Sequence, residues 1–587
     1  MKFIKYLLVF FLLIFINSVS LKPAKAIVDP LLAQNNKFGI HMISPIADES
    51  SPAATLVNSS GGDWGYVTIL IESKDRDTNK WQSFFDDLRR KHLIPIIRLA
   101  TCPEKDYWLR PYDGEETAWA DFLDTLNWPT KNRYIVVYNE PNQGQEWGGN
   151  VDPKSYARIL DKTITALKNK NPDFFVINAG FDASAPQQTP KYMDEEVFLT
   201  QMEEEVPGIL NRLDGWSTHS YPNPGFTASP DSAGRISVRT WIWETLLLQR
   251  FGVTKNIPVF ITETGWKHAE GVDYDKSLPS ADKVGNYYKT AFENAWNSNR
   301  IVAVSPFLLD YQGTPFDHFS FKRISGDTKN LNVLGATTDT ANKTDLSYYS
   351  PYTQLKEMPK TSGKPVQDNR AELVKGEIYT SLISGETYNI SLTFKNTGQS
   401  IWNDGNEVEL KATKGGNELQ IESIKLKSDQ KVEPGQTGTF SVKLKTPISG
   451  TYLIALQLFN NGKEFDQAPF IFSTTIKSPV QLILQTALQW KNDPTGDYIL
   501  TISSDSVENS SGVKINSNGT SSKIPARYLL PDYTFQFTLN KPFYKPKTVT
   551  TKVVPGDNVL NFGTLEPDFF SALLTPINLW ELLPFFN

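Results

Sequence analysis

The chain has 587 residues, 39% of them hydrophobic and 21% charged, and a net charge of −6 at pH 7. That is too long for one domain and ordinary for globular protein, so roughly three or four domains are expected. The near-neutral balance excludes the electrostatic footprint of a nucleic-acid or anionic-membrane binder. The single cysteine, Cys102, excludes an intramolecular disulfide, so each domain must stand on its own core.

The N-terminus reads as an export signal. Lys2 and Lys5 precede an apolar run over residues 6–16, and Ala24-Lys25-Ala26 offers a small-x-small cleavage site. A signal peptide over 1–26 and a secreted or cell-surface protein beginning at Ile27 are expected. The run falls short of the about 20 residues that a spanning helix needs, and an uncleaved anchor is the other reading.

Residues 27–357 alternate β-like apolar runs with amphipathic helical stretches. The runs are 38–41, 64–71, 94–99, 134–139, 174–178, 216–220, 258–263 and 301–308. Most are rich in Val, Ile and Phe without alternation, as parallel strands covered on both faces should be. Between them, Trp81, Phe84, Phe85 and Leu88 recur at helical spacing. Asp152-Pro153 supplies a cap and a first-turn proline ahead of Tyr156, Leu160, Ile164 and Leu167. Eight such units predict an α/β fold of the (β/α)8 TIM-barrel type. A doubly wound open sheet is the alternative, but Gly39-Ile40-His41-Met42 after the first run is not a phosphate-binding turn.

In a barrel the polar residues at the C-terminal ends of the strands are the ones to read. They are His41, Arg98, Asn139 with Glu140, His219 with Tyr221, Glu263, and Asp310 with Tyr311. A strand-end glutamate taken alone is more often a surface ion-pair partner. Two of them, each closing a buried run, point instead to acid and nucleophile chemistry. Arg98 and His41 are equally well explained as structural neighbours of a buried carboxylate. Of the 14 tryptophans, 11 lie before residue 300. Their usual role is packing, but Trp108, Trp147 and Trp266, in or beside the loops after strands, are candidate sugar platforms.

These residues carry a resemblance. Asn139-Glu140-Pro141 after the fourth run, His219-Ser220-Tyr221 after the sixth and Ile261-Thr262-Glu263-Thr264-Gly265-Trp266 after the seventh resemble clan A of the retaining glycoside hydrolases. The resemblance covers about residues 39–308. It implies Glu140 as general acid/base, Glu263 as nucleophile and Asn139 on the sugar 2-hydroxyl, with Tyr221 orienting Glu263 and His219 lining the same floor. Two departures leave the family within the clan, and the sugar, open. Many members have an arginine after strand two, where this chain has Ile71-Glu72 and offers Arg98 on strand three. Many have a tryptophan after strand eight, where this chain has Phe307-Leu308. The partner expected is an oligo- or polysaccharide, cleaved at a β-linked O-glycosidic bond by a monomeric protein. A glycan-binding or adhesive cell-surface protein on a glycosidase-like barrel is the competing reading.

Residues 358–369, rich in Lys, Pro, Gly and Ser, read as a linker. Short alternating runs then predict two all-β sandwich modules, 370–477 and 478–567. Asn396-Thr397-Gly398 followed by Ile401-Trp402 resembles bacterial Ig-like accessory modules, and such modules imply no chemistry of their own. Spacer is the reading preferred for both, with carbohydrate binding or surface attachment as alternatives. The tail, 568–587, is apolar but interrupted by Pro576 and Pro584. The five histidines are scattered, no HExxH, CxxC or phosphate-loop motif occurs, and the site as read needs no cofactor.

Overall fold

A computed structural model describes residues 27–325, 347–504 and 507–568. The expected signal peptide and the apolar tail from residue 569 onward lie outside the described residues.

The first compact unit runs to Asn369 and includes Gly398–Ile401. Its strands are β1 (Gly39–His41), β2 (Gly65–Glu72), β3 (Leu93–Ala100), β4 (Arg133–Val136), β5 (Phe174–Ile177), β6 (Trp216–His219), β7 (Val259–Thr264) and β8 (Ile301–Pro306). All neighbours pair in parallel. Bridges Ile177–Gly215 and Phe38–Val304 join β5 to β6 and β8 to β1, so the sheet closes into a barrel. Helices α1 (Ala47–Val57), α2 (Thr78–Arg90), α3 (Glu115–Thr125), α4 (Pro153–Lys170), α5 (Glu195–Glu205), α6 (Thr240–Arg250) and α7 (Ala281–Thr290) cover it, and α8 (Ser350–Glu357) follows β8. This is the (β/α)8 architecture that the alternating runs predict.

Local chemistry explains the boundaries. Asp77 caps α2 by accepting from the backbone N–H groups of Asn79 and Lys80, and Asp152 caps α4 ahead of Pro153. The α2 stripe Trp81, Phe84, Phe85 and Leu88 is buried against the barrel wall. Inside the barrel the period-two alternation of a strand sorts residues by height. Tyr66, Ile94, Ile96, Tyr134, Val136, Phe175, Ile177 and Phe260 fill the lower interior as one apolar cluster. Two residues above Ile96, on the same inward face of β3, stands Arg98.

The second unit, Arg370–Thr397 with Trp402 onward, is all β. Its first part pairs strands Thr387–Asn396, Thr437–Lys445 and Ala371–Lys375 in one sheet. A second sheet runs through Gly450–Asn460, flanked by Phe470–Lys477 and Val408–Lys414. Trp402, Phe394, Phe440 and Leu456 are buried in its core. The later part packs Val480–Leu488 with Gly556–Leu565 in one sheet. Gly496–Ser504, Val507–Ile515, Thr534–Asn540 and Lys547–Lys552 form the other, over a separate core around Phe537 and Leu500. Strict alternation of buried and exposed positions, as along Thr437–Lys445, is what a sandwich with one wet face requires.

Candidate active site

At the C-terminal mouth of the barrel lies a cleft of about 480 Å³. Strand alternation alone brings some groups there and deliberate irregularity brings others. Phe260 lines the interior and Thr262 Oγ1 meets Ser217 Oγ of β6 at 2.6 Å, so regular pleating turns Glu263 outward. The β7–β8 register shifts between Ile261 and Thr264, and the β6–β7 register shifts so that His219 stands opposite Glu263. These irregularities place the Glu263 side chain inside, a re-aiming that bulges commonly provide.

The other carboxylate is delivered by the segment after β4. The ladder ends at Val136, not at Asn139 as the apolar run predicts, because the next residues leave extended geometry. Tyr138 has φ 71° and Glu140 φ 28°, left-handed conformations that cost on the order of 1–3 kcal/mol each in a non-glycine residue. Surrounding bonds hold them. Val137 N–H donates to Ile177 O at 3.1 Å and Glu140 N–H to Gly180 O at 3.0 Å. Asn142 Nδ2 donates to Asp182 O at 2.9 Å and to Met193 O at 3.1 Å. Gly180 has a second role, since a Cβ there would stand 2.1 Å from the His219 ring.

His219 links the two carboxylates. Its Nδ1 lies 2.7 Å from Glu140 Oε1 and 3.8 Å from Glu263 Oε2. The sum of those distances, the most that can separate the two oxygens, does not exceed about 6.5 Å, where the range for inverting carboxyl pairs begins. Gln143 Nε2 donates to Glu140 Oε2 at 2.7 Å. Glu263 accepts from Tyr221 Oη at 3.1 Å and from Arg98 Nη1, which also donates to Asn139 Oδ1 at 2.9 Å. His41, fully buried, places Nε2 3.6 Å from Glu263 Oε1.

This network drives the two carboxyls apart. Burial pushes Glu140 up to about 7, more than the His219 contact pulls it down. Burial also pushes Glu263 upward, but His219, Arg98 and the Tyr221 hydroxyl outweigh it and bring it down to about 2. His219 itself is disfavoured as a cation by burial, yet Glu263 and Glu140 on either side raise it. Burial, with Arg98 nearby, lowers His41 to about 3, so its ring is neutral. Among the described residues no group of three or more His, Cys, Asp or Glu is placed to hold a metal ion.

No family model and no curated protein matches the chain. Solved structures do align with it. A family 39 glycoside hydrolase from Bacteroides cellulosilyticus WH2 aligns at 14% identity and TM-score 0.36, over 71% of this chain and 82% of that one. A β-mannanase from Thermomonospora fusca aligns at 13% and 0.32, over 49% and 83%. A family 51 α-L-arabinofuranosidase from Bifidobacterium longum aligns at 13% and 0.34, over 72% and 97%. Identity and TM-score at these levels leave function to be read from the site itself.

The structure gathers His41, Arg98, Asn139, Glu140, Tyr221 and Glu263 on the cleft wall, with His219 beneath. Two of the aromatic candidates are elsewhere. Trp147 is 1% exposed, its ring against Tyr138 and Tyr156 behind the Glu140 loop. Trp266 is 1% exposed, packed on Tyr288 and Trp296, with Nε1 donating to Ala228 O at 2.7 Å. Both are core residues rather than sugar platforms, because the chain carries each past the mouth into the apolar layer outside the strands. Trp108 is the tryptophan that lines the cleft, half-exposed. Asp310 pairs with Lys322 at 2.6 Å. Sequence reading passes over Gln143, Glu146, Asp182, Phe226 and Phe319, which also line the cleft. They come from loops and single 3-10 turns, which are too short for a periodicity to mark an inward residue. Their nearness to Asn139-Glu140 was the available signal for Gln143 and Glu146.

Proposed function

We propose that the barrel is a retaining glycoside hydrolase that cleaves a β-linked O-glycosidic bond. The observation that carries this reading is the pair Glu140 and Glu263, bridged by one histidine nitrogen and driven apart in acidity by their surroundings. A retaining pair works at about 5–5.5 Å, a separation within the reach set by His219 Nδ1.

The residues divide the work as follows. Glu263, ionised at neutral pH and held by Arg98 and Tyr221, attacks the anomeric carbon. Glu140, protonated, gives its proton to the departing oxygen as that bond breaks. With Glu263 esterified its negative charge is gone, and Glu140 is left as a carboxylate that accepts hydrogen bonds from Gln143 and contacts His219. Glu140 then takes a proton from water, the hydroxide equivalent attacks the same carbon, and Glu263 leaves as a carboxylate. Two inversions give net retention. The half-exposed Trp108 and the apolar wall of Phe226, Phe307 and Phe319 suit the C–H faces of sugar rings.

Digestion of a panel of β-linked polysaccharides and aryl glycosides, with the first-formed product followed by NMR, tests the reading. A β-anomer that appears first and then mutarotates is expected. An α-anomer first, or no cleavage of any member, contradicts it. We further propose that the protein is secreted, on the strength of the apolar segment and the Ala24-Lys25-Ala26 site. An extracellular protein whose N-terminus is Ile27 is the expected result of fractionation and end-sequencing.

A further inference from the structure

Glu146, like Asp182, is a cleft carboxylate that double displacement leaves unused. It ends the one-turn helix Gly144–Glu146 in the loop after β4. Its Oε2 accepts from Asn139 Nδ2 at 3.2 Å, while Asn139 Oδ1 accepts from the same Arg98 nitrogen that binds Glu263. The amide is therefore fixed with its oxygen toward Arg98 and its nitrogen toward Glu146, and one N–H remains for a ligand. Glu146 Oε1 makes no hydrogen bond among the described residues, and the residue lies half-buried on the cleft wall. Beside it stands Trp108. The Trp108 N–H donates to Gln145 O at 2.7 Å and its carbonyl accepts from Gly148 N–H at 2.8 Å, so the loop after β3 is stitched to the chain on both sides of Glu146. A flat ring, an oriented amide N–H and a free carboxylate oxygen together suit one face of a sugar and its adjacent hydroxyls.

We propose that Glu146 determines specificity. It accepts a hydrogen bond from a sugar hydroxyl adjacent to the one Asn139 binds, and it keeps the Asn139 amide the right way round. The subsite at Glu263 then takes a neutral sugar with free vicinal hydroxyls. A sugar that is deoxygenated, acylated or negatively charged at that point is rejected, because it lacks the donor or meets the carboxylate. This inference rests on the glycoside hydrolase reading of Glu140 and Glu263.

A kinetic cycle tests it. Wild type, Glu146→Gln and Glu146→Ala are compared on the aryl glycoside that wild type cleaves fastest and on its 2-deoxy and 3-deoxy counterparts. Removing the recognised hydroxyl is expected to cost wild type about 10- to 100-fold in kcat/KM. Glu146→Ala should lose a similar factor on the parent glycoside and almost nothing further on the deoxy one. Glu146→Gln keeps one acceptor oxygen and the side-chain shape, so it should fall between the two. It carries the cycle alone if the alanine variant fails to fold. An unchanged parent rate, or the full deoxy penalty in both variants, overturns the proposal. A wild-type protein that cleaves no aryl glycoside or β-linked polysaccharide overturns the glycosidase reading beneath it.

Discussion

Glu140 and Glu263 are the same residue type at the same end of the same barrel, yet one is held near 7 and the other near 2. Burial acts upward on both. The difference is the company each keeps: Glu263 has a guanidinium and a phenol, and Glu140 has an amide and a shared histidine. Such a split separates acid from nucleophile. The consequence for pH is direct. Under the proposed double displacement, activity requires Glu140 protonated, so kcat/KM should fall as pH rises through about 7. It requires Glu263 ionised, so the acidic limb should lie far below, toward 2. In Glu140→Gln, assayed with an activated aryl leaving group, the alkaline limb should vanish, and its persistence would assign that limb to another group. Arg98→Met removes a positive neighbour of Glu263 and should move the acidic limb up by about 1–3 pH units, with the alkaline limb little changed. A pH–rate profile of each variant checks both.

At the scale of elements, the segment after β4 and the bulged end of β7 show how much of the site was legible. Arg98, His41 and His219 continue the inward face of their strands, so reading strand ends placed them. Glu140 and Glu263 depend on left-handed backbone and on register shifts. Residue patterns do not encode those shifts, and only the identity of the glutamates marked them. Trp147 and Trp266 could not be sorted by position, since a loop aromatic can turn either way. Behind β6 is a pair that no pattern revealed. Glu195 at the start of α5 and Glu244 on α6 are fully buried, and their carboxyl oxygens lack hydrogen bonds of ordinary geometry among the described residues. Burial raises Glu195 well above the usual carboxylate range and Glu244 to about 7, with Arg235, Asp182 and His219 as the charged or titratable neighbours. A folded-state value above the unfolded one means stability that is fully present below about 4.5 and lost as pH rises through about 7. Glu195→Gln or Glu244→Gln should therefore stabilise the barrel by about 1–3 kcal/mol at pH 8 and leave it nearly unchanged at pH 4. Thermal melts at the two pH values check this, and equal destabilisation at both would show that Arg235 holds an ionised pair.

For the whole molecule, the order barrel then β modules was legible because the hydrophobic pattern changes near residue 370 from unbroken apolar runs to strict alternation. What each β module does is not written in its core, which is all packing: Trp402 is fully buried. The barrel core and the two sandwich cores are separate clusters, so heat should unfold the chain in more than one transition. Differential scanning calorimetry of Glu263→Ala with a saturating β-linked oligosaccharide, which that variant binds without forming the glycosyl ester, checks the assignment. The barrel transition should rise, by about 2.7 kcal/mol at a hundredfold excess over Kd, and the sandwich transitions should stay in place. A single transition that moves as one would contradict independent cores.

The central claim is that Glu263 forms the glycosyl bond and Glu140 works opposite it. The most direct measurement is hydrolysis of an activated aryl glycoside by Glu263→Ala with and without azide. The account predicts a loss of several orders of magnitude in kcat. Azide should restore turnover by entering the space the carboxylate vacated, giving a glycosyl azide of inverted configuration. A Glu263→Ala protein that hydrolyses the substrate at the wild-type rate would contradict it.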